Sequence, residues 1–183
     1  FALVTPRCSI HHGANQDEAL GKLAAMTKRH MHDPLVRTTA LRITGDCAGR
    51  DDRCELEAIY RAVKHGHPDV AGMERGFRYV ADPREVDFFT APSRSLAMCG
   101  MGACGGDCDD HSALIAALAG TLGFQVGLRA YATKGDKDFS HVYAVVGFPK
   151  RNPQKWLGMD TTVKSAHVGW EPPPGRVKTA VLN

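Results

Sequence analysis

No stretch of this 183-residue chain is long and apolar enough to cross a bilayer; the longest apolar run, around Ala113 to Leu122, has the length of a buried helix. Excess charge is scarce as well. Its 23 lysines and arginines against 20 aspartates and glutamates leave +3, too little to argue for nucleic acid, and the basic residues are scattered without an aromatic platform on which bases would stack. No segment repeats. The glycine-rich stretch Cys99 to Gly106 is followed by carboxylates and by no Lys-Ser or Lys-Thr, which excludes a phosphate cradle. No signal peptide is visible, and Phe1 in place of an initiator methionine is compatible with a processed product, a trimmed chain or a fragment.

What remains is enough for one ordinary domain with its own core, since 43% of the residues are hydrophobic. Six cysteines are present. If one is a free nucleophile, five are left, an odd number that argues against a fully paired framework and makes a reduced, cytoplasmic setting the simpler expectation. Cys47 and Cys54 are placed to bridge locally across a loop rich in glycine and aspartate.

Residues 1–75 read as an arm followed by helices. The arm carries Cys8, His11 and His12, to which no metal role is given. A capping-box-like Asn15 and Glu18 open the first helix, with Leu20, Leu23, Ala24, Thr27 and Met31 on one face. Asp33-Pro34 starts a second, expected to run to Thr44 and to bury Leu35, Leu41 and Ile43. Leu56, Ile59, Tyr60 and Val63 recur at helical spacing in a third, which His65-Gly66 closes. From Phe77 the pattern turns to a short strand; Val86, Phe88, Phe89 and Leu96 then surround Ala91-Pro92-Ser93, and the two phenylalanines are expected to pack under the cysteine loop.

The chain is organised around Gly105-Gly106-Asp107-Cys108-Asp109-Asp110-His111. The glycines are expected to let the backbone turn into a helix, with Asp107 as its N-cap and two carboxylates in its first turn; Gly123 ends it. A thiol here lies near unpaired backbone N–H groups that favour the thiolate, while the carboxylates oppose it. Downstream, Phe124 to Ala132, Phe139 to Phe148 and Lys155 to Thr161 read as strands, the last two joined by a turn bounded by Pro149 and Pro153. If they pair with His141 opposite Asp160, the carboxylate can orient the imidazole while its other nitrogen meets the thiol. His167, with no strand partner, ranks behind His141. His167 to Glu171 and Pro172 to Pro174 are read as a wrapping tail with Trp170 docked on the core.

The order Cys108, His141, Asp160, set in GDCDDHSALIAALAGTLGF, FSHVYAVV and WLGMDTT, resembles the transglutaminase-like superfamily, which includes bacterial and phage cysteine-peptidase-like members. The likeness runs from Phe77 to about Pro174 and includes Gly76 to Val80, similar to the strand that such proteins carry before the cysteine. It implies an α+β, papain-like or transglutaminase-like core over residues 76–183, a nucleophile helix packed on an antiparallel sheet with an N-terminal helical segment before it. It also implies Cys108 as nucleophile, His141 as base and then acid, and Asp160 as orienter. The Gly-Gln-Cys-Trp peptide of animal transglutaminases is absent, which favours an amide hydrolase over a crosslinking enzyme. The expected partner is a protein or peptide carrying the target amide. Acyl transfer to an amine and a non-catalytic role in a phage particle are the alternatives; the expected location is cytoplasmic or virion-associated, and a processed secreted form stays open. No cofactor or metal is expected.

Three other readings attach to the same loop. Cys99, Cys104, Cys108 and His111 offer a tetrahedral zinc set, at spacings unlike a common knuckle. Cys99 or Cys104 could instead form a disulfide with Cys108 that silences it. Asp107, Asp109 and Asp110 offer only part of a calcium shell.

Overall fold

The structure, a computed structural model, describes residues 15–83 and 88–183. Cys8, His11, His12 and Val86 lie outside the described residues. Three helices come first: α1 (Gln16–His30), α2 (Pro34–Ile43) and α3 (Asp52–His65). Each is capped as its sequence dictates, the side chains of Asn15, Asp33 and Asp51 accepting from backbone N–H groups of the first turn. A short strand β1 (Arg78–Tyr79), helix α4 (Pro92–Gly100), strand β2 (Gly105–Gly106) and helix α5 (Cys108–Thr121) follow. Strands β3 (Val126–Thr133), β4 (His141–Phe148), β5 (Lys155–Met159) and β6 (Gly175–Val181) complete the chain.

The architecture is α+β: the last four strands form one antiparallel sheet in the order β5-β4-β3-β6. From Ala113 to Gly120 helix α5 is apolar on every side, and all fourteen of its residues, Cys108 to Thr121, are buried. An all-round apolar helix must sit inside the protein, and α5 is enclosed by β3 and β4 on one side and by α1, α2, α3 and α4 on others. The inward row of β3, Val126, Leu128, Ala130 and Ala132, is fully buried, as its alternation requires. Among the described residues, no helix is long and apolar enough to cross a membrane.

Three expectations are corrected. On α2 the buried residues are Val36, Thr39, Ala40 and Ile43, whereas Leu41 is 50% exposed and Leu35 is exposed too. The stripe is set by the face turned to α5, and that face carries the smaller side chains. Phe88 is exposed, and only Phe89 packs against the core. Gly105 and Gly106 do not turn the chain. They form an extended strand beside Arg78 and Tyr79, and a Cβ on Gly106 would fall 2.2 Å from Asp110 Oδ2. Close approach, not backbone freedom, is what demands glycine there.

Strand β6, which begins directly after the expected wrapping tail and is not among the expected strands, is an edge strand paired with β3. Trp170 is half-buried.

Candidate active site

Asp107 caps α5, its side chain accepting from Asp109 N at 3.1 Å, and Cys108 is the first residue of the helix. Ser112, one turn on, ties this end of α5 to the sheet. Its hydroxyl lies 2.5 Å from Cys108 O and 3.0 Å from Val142 O, with one proton to give. Val142 follows His141, so the start of the helix is held against the start of β4 by a side chain adjacent to each.

His141 is 0% exposed, and its Nε2 lies 2.5 Å from Asp160 Oδ2. The other oxygen, Oδ1, accepts from Thr162 N at 2.9 Å and from Thr162 Oγ1 at 2.8 Å. Burial pushes the Asp160 carboxyl up, but the hydrogen bonds and charge of His141, with the two bonds from Thr162, outweigh it and hold it below the ordinary range. An ionised Asp160 requires a proton on Nε2. The remaining nitrogen, Nδ1, is buried and has no hydrogen-bond partner. A buried polar atom without a partner is uncommon and calls for a reason.

The strand register differs from expectation by two residues. Ala144 pairs with Met159 and Val146 with Leu157, which carries β5 to a position where Asp160 is abreast of Tyr143. A shift of two preserves the face, so Asp160 meets His141 from the diagonal. His167 is exposed.

A second tier of residues fixes the Asp160 loop. Tyr60 OH lies within hydrogen-bond reach of the carbonyls of Asp160 (2.8 Å) and Ala166 (2.7 Å). Lys64 Nζ donates to Tyr60 OH and to the carbonyls of Val163, Lys164 and Ala166. His111 Nδ1 pairs with Thr161 Oγ1 at 2.8 Å, and burial drives its pKa down to about 4, partly offset by the Arg78 backbone and the Asp160 charge. Its Nε2 makes no bond of ordinary geometry. Sequence reasoning missed Thr162, Ser112, Tyr60 and Lys64. Only the Asp160-Thr162 spacing, that of an Asx turn, carried a local signal.

Cys108 is 0% exposed and disulfide-bonded. Cys47 bridges Cys54, as its loop suggests, and Cys99 bridges Cys104. No described cysteine is free. These bonds correct two expectations: a framework with an odd cysteine, and a bridge from Cys99 or Cys104 to Cys108. They also remove the zinc set, because a disulfide sulfur is not a thiolate ligand.

Asp107, Asp109 and Asp110 bring carboxylate oxygens within 4.8 Å of one another, all three residues buried. Burial, then the neighbouring carboxylates, pushes the Asp109 pKa up to about 11, so it is a neutral acid at pH 7. Asp110 is raised by burial to about 6, held down in part by a hydrogen bond from Thr90 N. In donor type the cluster suits a hard cation, but three carboxylates make about half of a calcium shell, and no metal role is assigned to it.

No protein-family model and no curated protein matches this chain.

Proposed function

We propose that the chain is a cysteine-dependent amide hydrolase of the papain-like, transglutaminase-like kind, with Cys108 as nucleophile, His141 as base and acid, and Asp160 as orienter. The observation that carries the reading is His141 itself, with one ring nitrogen fixed on an ionised carboxylate and the other buried and unused, on the strand that Ser112 binds to the helix of Cys108. A purely structural histidine would be expected to use both nitrogens.

Once Cys108 is a thiolate, it attacks the amide carbonyl and the developing oxyanion takes the backbone N–H of Cys108. Imidazolium His141 gives its Nδ1 proton to the departing amine as the C–N bond breaks, leaving a thioester. Water then gives a proton to Nδ1 and attacks the thioester, and the acid leaves with regeneration of the thiolate. Asp160 remains a carboxylate throughout and stabilises the imidazolium. A non-catalytic role, for instance in a phage particle, takes its support from the bonded, buried state of Cys108.

The test uses reduced protein and p-nitrophenyl acetate, with intact-mass and peptide mass spectrometry. An acetyl group on Cys108 that hydroxylamine removes, and that is absent from Cys108→Ala, is the expected result. Acetylation spread over lysines with none on Cys108 would contradict the reading.

A further inference from the structure

The four-stranded sheet has two edges, and the chain treats them differently. At β5 it closes the edge itself: Gly169 N donates to Gly158 O at 2.8 Å, and a Cβ on Gly158 would fall 2.1 Å from Trp170 O. Among the described residues no segment pairs with the outer side of β6. Leu182 N donates to Val126 O, so by antiparallel alternation Arg176, Lys178 and Ala180 exchange their bonds with β3, and Gly175, Val177, Thr179 and Val181 turn N–H and C=O to the open side.

The devices that usually blunt such an edge are missing. The register with β3 runs from Gly175 to Val181 without a bulge, and the strand holds no proline. Its two cations are used within the chain: Lys178 Nζ pairs with Asp17 Oδ1 at 2.9 Å, and the Arg176 guanidinium lies over the Phe139 ring and donates to Lys137 O. On the opposite face of the strand, Val177 and Val181 are 52% and 54% exposed.

We propose that β6 pairs with β6 of a second copy of this chain, antiparallel and across a twofold axis, joining the two sheets into one. The strand's own sequence selects the register. The outward bonding groups belong to the odd-numbered residues, so odd must meet odd. A twofold axis at Val177 sets Arg176 against Lys178 of the second copy, and an axis at Lys178 sets the two Lys178 side chains against each other; like charges directly opposite disfavour both. An axis at Ala180 leaves only Thr179 to Val181 of the strand in the pairing. An axis at Thr179 places Val177 against Val181, Thr179 against Thr179 and Lys178 against Ala180. It creates no like-charged pair, covers both exposed valines with their counterparts and forms about six backbone hydrogen bonds. The contact is isologous and closes on itself, as a twofold dimer requires. A single strand pairing buries less than a standard interface, so the association is reversible and concentration-dependent.

The test is sedimentation equilibrium of the full chain over about 5 to 500 μM, the range in which an interface of this size associates. The expected result is a monomer–dimer equilibrium. Val177→Lys/Val181→Lys, which sets lysine against lysine at both valine pairs, should weaken it at least about tenfold, and Val177→Lys/Val181→Glu, which sets lysine against glutamate in this register, should recover most of that loss. Val177→Pro removes one outward N–H and none of the bonds to β3, and should also weaken the dimer at least about tenfold. Circular dichroism confirms the fold of each variant. A parent that stays monomeric throughout overturns the proposal and leaves the edge to an extended segment of another protein; a dimer that Val177→Pro and the double-lysine variant leave unchanged overturns it as well. A lysine–glutamate variant as weak as the double-lysine one overturns the twofold register.

Discussion

Asp160 reaches His141 from the diagonal, abreast of Tyr143, and still places Oδ2 2.5 Å from Nε2. Because Thr162 occupies the other oxygen twice, the carboxylate has one orientation and the imidazole one tautomer. Asp160→Asn keeps the shape but removes the charge. After reduction it is expected to slow alkylation of Cys108 at pH 6 at least about tenfold, because a less stable imidazolium supports less thiolate. Peptide mass spectrometry reads the rate, and circular dichroism confirms that the fold persists.

The same carboxylate predicts a pH dependence. Its folded pKa lies below the ordinary value, so it contributes stability above about pH 4 that is lost as pH falls through the folded pKa. Asp160→Asn should therefore be less stable than the parent at pH 7, by about 3 kcal/mol for a broken buried pair. Urea denaturation should show that gap closing in strong acid; a gap independent of pH would mean that the charge is not the cause.

His111 titrates with its own sign. Its folded pKa of about 4 is below the ordinary 6.5, so the buried ring is neutral and the unfolded chain binds the extra proton. Stability from this residue is complete above pH 6.5 and falls by about 3 kcal/mol toward pH 4. Asp110, raised to about 6, acts in the opposite direction over part of that range. The measurement is therefore the parent minus His111→Gln, from urea curves at each pH, and the difference should shrink toward pH 4.

Glycines separate close approach from helix propensity. Gly106→Ala would place its Cβ 2.2 Å from Asp110 Oδ2 and 2.5 Å from Asp110 Cβ, so β2 or the first turn of α5 must move, at a cost of about 2 kcal/mol. Gly21 lies inside α1, and a methyl group added there would have nothing within 4 Å. Gly21→Ala should stabilise by about 1 kcal/mol. Thermal melts of the two variants should move in opposite directions.

Much of this was legible in advance, for identifiable reasons. Helices α1 and α2 declared their N-caps, α3 its apolar spacing and its stop at Gly66, and α5 its cap at Asp107 and the apolar run that follows. Strands β3 to β5 showed alternation and bounding turns. Strand β6 escaped because it is a largely exposed edge strand with little apolar alternation, entered from a proline run. The Gly105-Gly106 strand carries no side chains to show a period. The facing of His141 and Asp160 could be read because strand periodicity is two, but the exact pairing was set by the six residues between Phe148 and Lys155, whose geometry is not written in propensities. Cysteine pairing was legible at Cys47 and Cys54, which flank one short loop, and failed elsewhere because the count assumed an unbonded Cys108.

The most direct test of the central claim is the rate at which Cys108 is alkylated, in fully reduced protein, as a function of pH. An activated thiolate beside His141 predicts modification much faster than at the other five cysteines and persisting well below the ordinary thiol pKa of about 8.5. A Cys108 that reacts no faster than the rest, with a midpoint near that ordinary value, would contradict the account.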